Sequence, residues 1–274
     1  MPELPEVETI VRGLRPLLQG KQISGYQLFS PKAWRGEDFS CLQALLNRAI
    51  HHVWRRGKFI LLTLEQGPTL IFHLKMTGRL VWVPQNSSRP KHLIFILSFK
   101  NSPEELRFID TRKFGYLSCR PTEEVNSSKA PELATLGPEP LEIELDQFRE
   151  ILRARKARIK SLLLNQKLIA GIGNIYADEI LFRSCIHPLT PANELGENEL
   201  RILWKTMRTI LQTAIKKRGT SIRDYRDVDN QKGNFQLFLQ VYGREKQPCP
   251  RCGQPIQRLQ IGGRSSHFCP VCQK

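Results

Sequence analysis

The chain has 274 residues, 40% of them hydrophobic and 25% charged, which is the balance of a globular protein long enough for two domains. No apolar run approaches the roughly 18 residues of a membrane span, and no basic-then-apolar segment follows Met1-Pro2-Glu3. Neither a membrane anchor nor a secretory signal is therefore expected, and cytoplasmic residence is the expectation. The 42 Lys and Arg against 26 Asp and Glu give a net charge of +16, a field that draws in polyanions. Residues 151–274 carry 22 basic against 9 acidic side chains, whereas residues 1–150 carry 20 against 17. That concentration favours a nucleic-acid partner over an evenly solvated basic surface, and charge alone leaves DNA and RNA undistinguished.

The first element reads as a helix, with Val7, Ile10, Val11 and Leu14 on one face, Pro5 in its first turn and Gly20 beyond its end. Pro2 and Glu3 then lie just outside the positive end of its dipole. From Ile23 to Cys119 the pattern is one of short strands: Ile23–Leu28, Lys58–Leu64, Thr69–Leu74, Leu80–Val83, Leu93–Phe99, Leu106–Ile109 and Tyr116–Cys119. Turn residues such as Gln66-Gly67-Pro68 separate most of them, a helix around Asp38–Asn47 interrupts them, and a sandwich is the expected result. Pro121–Pro140 reads as a linker. Beyond it the period is helical: a segment capped at Asp146, then Ile159–Leu164, Asn174–Phe182, and a long amphipathic helix from Leu200 to Ile215 that ends at Gly219. Residues 220–240 read as a mobile polar loop leading into a strand.

Seven cysteines are present, those at 41, 119 and 185 scattered, the other four in two C-x-x-C pairs. The odd total and the clustering argue for a reduced compartment and a metal rather than a secreted disulfide framework. Cys249-Pro-Arg-Cys252 and Cys269-Pro-Val-Cys272 have the spacing of a four-cysteine zinc site, with Gly262-Gly263 as the hairpin turn between them. Two redox C-x-x-C motifs would need a thioredoxin-like context, which is missing. So small a segment has little core of its own, and zinc would supply much of its folding energy. His267 is surplus to such a site and is expected to be an exposed side chain. Arg264, after the glycine turn, is expected at the hairpin tip.

Removal of the initiator methionine, which a small second residue permits, would leave Pro2 with a free secondary amine. An α-amino group has a pKa near 8, so a usable fraction is unprotonated at neutral pH. Condensed with an aldehyde carbon, it gives an iminium ion, an electron sink. A proline that merely starts a helix would explain Pro2 by itself.

Further blocks weigh against that simpler reading: MPELPEVET at 1–9, RRGKF at 55–59, HLKMTG at 73–78 and DTRKFG at 110–115. LGPEPL at 136–141, AGIGNIYADE at 170–179, QVYGR at 240–244 and GGRSSHFCPVC in the zinc hairpin follow in order. With these blocks the chain resembles the formamidopyrimidine-DNA glycosylases from end to end. The resemblance implies an α+β protein: an N-terminal β-sandwich domain with flanking helices (1–125), a linker (126–145), a helix–two-turns–helix DNA-binding domain with a lesion-capping loop (146–235), and a four-cysteine zinc finger (236–274). It further implies a monomeric bifunctional glycosylase and AP lyase that removes FapyG and 8-oxoguanine from double-stranded DNA and then performs β,δ-elimination. One structural zinc ion per chain would be held by Cys249, Cys252, Cys269 and Cys272.

Carried over residue by residue, the resemblance makes Pro2 the nucleophile, Glu3 the carboxyl that protonates the sugar ring oxygen, and Glu6 an electrostatic aid that holds the N-terminus. Lys58 and Arg264 would grip the sugar and phosphates. Met76, Arg112 and Phe114 would fill the gap left by the flipped base, with Arg112 on the orphaned cytosine. His73, His92, Arg155, Asn174, Tyr242 and Arg258 are candidate DNA contacts, Asn174 because it opens a helix. Thr111 stands where family members often have proline or valine, and Ile94 replaces a second histidine, which weakens His92. Two alternatives stay open: an endonuclease VIII-like enzyme for oxidised pyrimidines, disfavoured by Leu4 and the Arg112–Phe114 pair, and a non-enzymatic zinc-finger DNA-binding protein, which would leave Pro2-Glu3 unexplained.

Overall fold

In the computed structural model, all residues are described except Met1, Glu37, Asp38, Arg223, Asp224 and Asp229. The chain forms two compact units, one of residues 1–134 with 217–234, the other of 135–216 with 235–274.

The first unit opens with α1 (Leu4–Leu18), whose apolar stripe of Val7, Ile10, Val11, Leu14 and Leu18 is fully buried. Two antiparallel sheets follow. One has the order β1 (Ile23–Leu28), β6 (Leu93–Phe99), β7 (Glu104–Asp110), β5 (Gly78–Pro84). The other has the order β2 (Ile50–Arg56), β3 (Phe59–Leu64), β4 (Thr69–His73), β8 (Tyr116–Arg120). One core joins them, with Phe95, Leu97, Leu106 and Phe108 from the first sheet and Ile60, Leu62, Leu70 and Phe72 from the second. The expected sandwich is present.

Four details differ from the sequence reading. Strand β2 had no counterpart in it, because a register shift between Ile50 and His52 puts its buried residues, Ile50 and Val53, three apart rather than two. The helix expected from Asp38 is α2, Ser40–Gln43, followed by turns as far as Asn47, whose φ of 62° ends any helical run; Asp38 itself lies outside the described residues. The proline-rich 121–140 stretch contains α3 (Thr122–Asn126) and buries Val125, Ala130 and Leu133. Cys41 and Cys119, read as scattered, form a disulfide, because α2 and β8 bring their Cα atoms within 6.0 Å.

The second unit packs α4 (Leu145–Arg153), α5 (Ile159–Leu164), α6 (Asn174–Arg183) and α7 (Glu197–Lys216) around a second core. A hairpin of β9 (Gln257–Ile261) and β10 (Arg264–Phe268) follows, turned by Gly262 and Gly263 with φ of 54° and 75°. Residues with a side chain avoid two successive positive φ values, so the pair of glycines selects this turn. Phe235–Phe238 forms a short 3-10 turn within the 220–240 stretch, and turns follow it where a strand was expected.

Phe72 is fully buried and meets Phe108 edge-on at 5.6 Å. Phe72→Ala should destabilise the sandwich by about 3–5 kcal/mol in denaturant unfolding, while zinc content stays unchanged; a loss under 1 kcal/mol would contradict this packing.

Candidate active site and DNA-binding surface

The N-terminal segment is fixed by a reciprocal cap. Glu3, the N-cap of α1, accepts from the Glu6 N–H, and the Glu6 carboxylate accepts from the Glu3 N–H at 2.7 Å. The other Glu6 oxygen accepts from the Thr220 N–H at 2.7 Å. Pro2, Glu3 and Glu6 are all buried. Gly219, at φ 77°, lies so close that an added Cβ would sit 2.7 Å from Glu6 Oε1, so a glycine is required there. Tyr225 donates to the Glu6 carbonyl at 3.3 Å. Burial, and then the Glu6 charge, pushes its phenol well above the ordinary value, so it stays protonated.

These bonds tie described residues of the 220–240 stretch, expected as a mobile loop, to the first unit, which takes in the chain as far as Asn234; Arg223, Asp224 and Asp229 of that stretch lie outside the described residues. Val228 sits in the sandwich core, and buried Asp227 binds Arg218 Nε at 2.8 Å and the Gln231 N–H at 2.9 Å. Single apolar residues among polar ones leave no periodic signal.

Lys58 is buried just before β3, near His73. Burial, reinforced by the charges of Lys75 and Lys58, pushes His73 down to about 3, so the ring is neutral. Its Nδ1 accepts from the Lys75 N–H at 3.0 Å, which leaves Nε2 carrying the proton as a neutral donor. His92 is half-buried, its carbonyl accepting from the Asp110 N–H at 3.0 Å.

Met76, Arg112 and Phe114 converge on the surface. Met76 is 44% and Phe114 53% exposed, unusual for large apolar side chains. The Arg112 guanidinium lies 3.1 Å from Met76 Sδ and 4.8 Å from the Phe114 ring centre.

In the second unit Asn174 opens α6 behind Gly173, and its Nδ2 donates to the Ser265 carbonyl at 2.9 Å. Lys160, fully buried, donates to the same carbonyl at 2.9 Å and to Asp178 Oδ1 at 2.5 Å. Asp178 Oδ2 accepts from the His267 N–H at 2.9 Å and lies 3.1 Å from His267 Nδ1. The expectation of an exposed His267 is corrected: it is buried, as one of the ties between the hairpin and α6. Glu179 accepts from the N–H groups of Gln240, Val241 and Tyr242. The sequence reading overlooked Lys160, Asp178 and Glu179, since their pairing spans distant segments. Tyr242 packs edge-on against His267, and Arg258 is exposed beside Glu245 and Ser265. Arg264 is exposed at the start of β10, next to the glycine turn, and Arg155 is half-buried beyond α4.

The sulfur atoms of Cys249, Cys252, Cys269 and Cys272 all lie within 4.8 Å of one another, with separations of 3.9 Å for Cys249–Cys272 and 3.5 Å for Cys252–Cys269. Tetrahedral coordination with Zn–S bonds of about 2.3 Å requires sulfurs about 3.8 Å apart. The donor set fits one structural zinc. A cleft of about 760 Å³ beside β2, lined by His51, His52 and Trp54, contains none of the candidate residues.

The class that emerges is a DNA-processing protein, with a sandwich that buries an N-terminal Pro-Glu pair and a basic helical unit that carries a zinc hairpin. The chain belongs to the formamidopyrimidine-DNA glycosylase family. Residues 1–117 match the formamidopyrimidine-DNA glycosylase N-terminal domain, 136–226 its H2TH domain, and 246–274 the zinc finger found in FPG and IleRS. The formamidopyrimidine-DNA glycosylase of Pelotomaculum thermopropionicum is 44% identical, across 100% of this chain and 99% of the relative. That of Ligilactobacillus salivarius is 41% identical over the same shares. A Lactococcus lactis Fpg in complex with DNA containing an abasic site superposes with a TM-score of 0.92 at 37% identity, covering 99% of both chains. Among the described residues no helix is long and apolar enough to cross a membrane.

Zinc content should be one ion per chain by metal analysis. Replacing Cys249, Cys252, Cys269 or Cys272 with Ser should abolish it, and replacing Cys41, Cys119 or Cys185 should not. Full DNA affinity in metal-free protein would contradict a structural role for the ion.

Proposed function

We infer that this chain is a bifunctional DNA glycosylase and AP lyase of base-excision repair, acting on oxidised purines in double-stranded DNA. The observation that carries this reading is the buried Pro2-Glu3 segment, held through the reciprocal Glu3–Glu6 cap by a Glu6 carboxylate that Thr220 fixes in turn. A backbone fixed this firmly suits a terminal amine that must meet one carbon atom. With the initiator methionine removed, the Pro2 nitrogen attacks C1′ of the damaged nucleotide. Glu3 gives a proton to the ring oxygen, the C1′–O4′ bond opens, and the base leaves with a proton. The resulting iminium acidifies the C2′ hydrogens, so that loss of one expels the 3′ phosphate. A second elimination then expels the 5′ phosphate. Glu6 acts here by fixing the Glu3 N–H.

Related proteins support the substrate class: one Lactococcus lactis Fpg variant was crystallised with DNA containing Fapy-dG. Neutral His73 offers Nε2–H to a phosphate oxygen, with Lys58 beside it supplying the charge. Asn174, Arg155, Tyr242, Arg258 and Arg264 would contact the backbone from the second unit, and His92 from the first. Zinc, when bound, supplies structural closure of the hairpin that presents Arg264. Met76 and Phe114 enter the stack, and Arg112, a donor-only group, pairs with the two acceptors of the orphaned cytosine. We place the enzyme in the bacterial cytoplasm as a monomer, with the catalytic sandwich as residues 1–125, a 126–145 linker, the DNA-binding domain as 146–235 and the zinc finger as 236–274.

Single-turnover excision on matched duplexes tests this. 8-Oxoguanine opposite cytosine should be removed faster than an oxidised pyrimidine, and faster than 8-oxoguanine opposite adenine by about 5- to 150-fold, the worth of a good two-bond contact. Arg112→Ala should flatten that opposite-base ratio. Faster release of the pyrimidine would instead favour the endonuclease VIII-like alternative.

A further inference from the structure

The loop that carries Arg112 and Phe114 joins β7 to β8, and its geometry originates in one side chain. Asp110, the last residue of β7, is fully buried. Its Oδ2 accepts from the Gly115 N–H at 2.6 Å. Its Oδ1 accepts from the Arg112 N–H at 3.1 Å and from the Thr77 hydroxyl. The Asp110 carbonyl takes the Lys113 N–H at 3.2 Å, with Lys113 at a φ of 55°. One carboxylate therefore organises both ends of the 111–115 loop.

Thr77 extends this control to a second loop. It follows Met76 in the turn between β4 and β5, which is closed by the Gly78 N–H donating to the Leu74 carbonyl at 2.9 Å. The Thr77 oxygen also lies 3.3 Å from the Arg112 N–H. Gly78 pairs directly with Asp110 in the sheet. The three exposed side chains thus rest on two loops tied together beneath the surface. Long, exposed side chains have no packing of their own to set their direction, so the backbone beneath them must do so.

We propose that Asp110 is the positioning residue for reading the opposite base: its carboxylate sets the relative placement of Arg112 and Met76. This rests on the assignment of Arg112 as the reader. An amide cannot replace the carboxylate here, because all three groups bound to its oxygens are donors. Asp110→Asn places an NH2 against one of them: facing Gly115 it leaves that N–H without its acceptor, and facing Thr77 it turns the hydroxyl from donor to acceptor and leaves the Arg112 N–H only its longer contact with the Thr77 oxygen. The side chain keeps its volume and the sheet its register.

The test measures single-turnover excision of 8-oxoguanine opposite cytosine and opposite adenine in Asp110→Asn, Thr77→Val, Thr77→Ser and Arg112→Ala. Borohydride trapping on single-stranded abasic DNA, which has no opposite base, follows the chemistry separately. Asp110→Asn should lower the cytosine-to-adenine ratio towards that of Arg112→Ala while retaining trapping. Thr77→Val should shift the ratio the same way, and Thr77→Ser, which keeps the hydroxyl, should restore it. A wild-type ratio in Asp110→Asn beside a flattened one in Arg112→Ala overturns the proposal. If Asp110→Asn loses trapping as well, Thr77 decides: a wild-type ratio in Thr77→Val overturns it. An unchanged ratio in Arg112→Ala overturns the reader assignment, and the proposal with it.

Discussion

The Glu6 carboxylate takes one backbone N–H on each side: Glu3 from the N-terminus and Thr220 from a segment more than two hundred residues away. A buried carboxylate is tolerated only when its lone pairs are satisfied, so this group is stable only if both segments are in place. The N-terminal segment cannot shift without unpairing Glu6, nor can the 219–220 turn. Glycine at 219 is what allows so close an approach. The same interaction makes the candidate catalytic segment, local in sequence, depend on a distant loop.

A similar device recurs twice. Asp178 and Glu179, adjacent on α6, accept from the β10 backbone and from three successive N–H groups at 240–242. Lys160 completes the first of these, and removing one partner of such a buried pair costs about 3–5 kcal/mol. Asp110 does the same for the loops at 76–77 and 111–115. Glu6, Glu179 and Asp110 collect N–H groups from irregular backbone that no sheet or helix satisfies, whereas Asp178 takes one from strand β10. Several candidate site residues, among them Pro2, Met76, Arg112 and Tyr242, lie on or beside these segments.

Much of the architecture was legible because it obeys a local period. The α1 and α7 stripes follow 3.6-residue spacing, most strands are short apolar runs punctuated by turn residues, and the four cysteines announce their site by spacing alone. The rest depends on long-range partners. His267 gave no sign of burial because its partner lies 89 residues away. The bulge in β2 broke the alternation that would have revealed it. The Cys41–Cys119 bond, 78 residues apart, follows from the docking of α2 on β8 and from nothing local. Among candidate site residues, Pro2 suggested a nucleophile by its chemistry but needed the family's blocks to outweigh a simple helix start, and Met76, which would read as core without the family's pattern, is exposed.

The central claim is that the terminal nitrogen of Pro2 forms the covalent link to DNA. Borohydride reduction during the reaction with 8-oxoguanine duplex, followed by proteolysis and mass spectrometry of the cross-linked peptide, measures this directly. The account predicts a single adduct on the Pro2 nitrogen, lost when Met1 is retained, because an acylated proline nitrogen has no nucleophilic lone pair. An adduct on an internal lysine such as Lys58, or trapping by protein that keeps Met1, would contradict it.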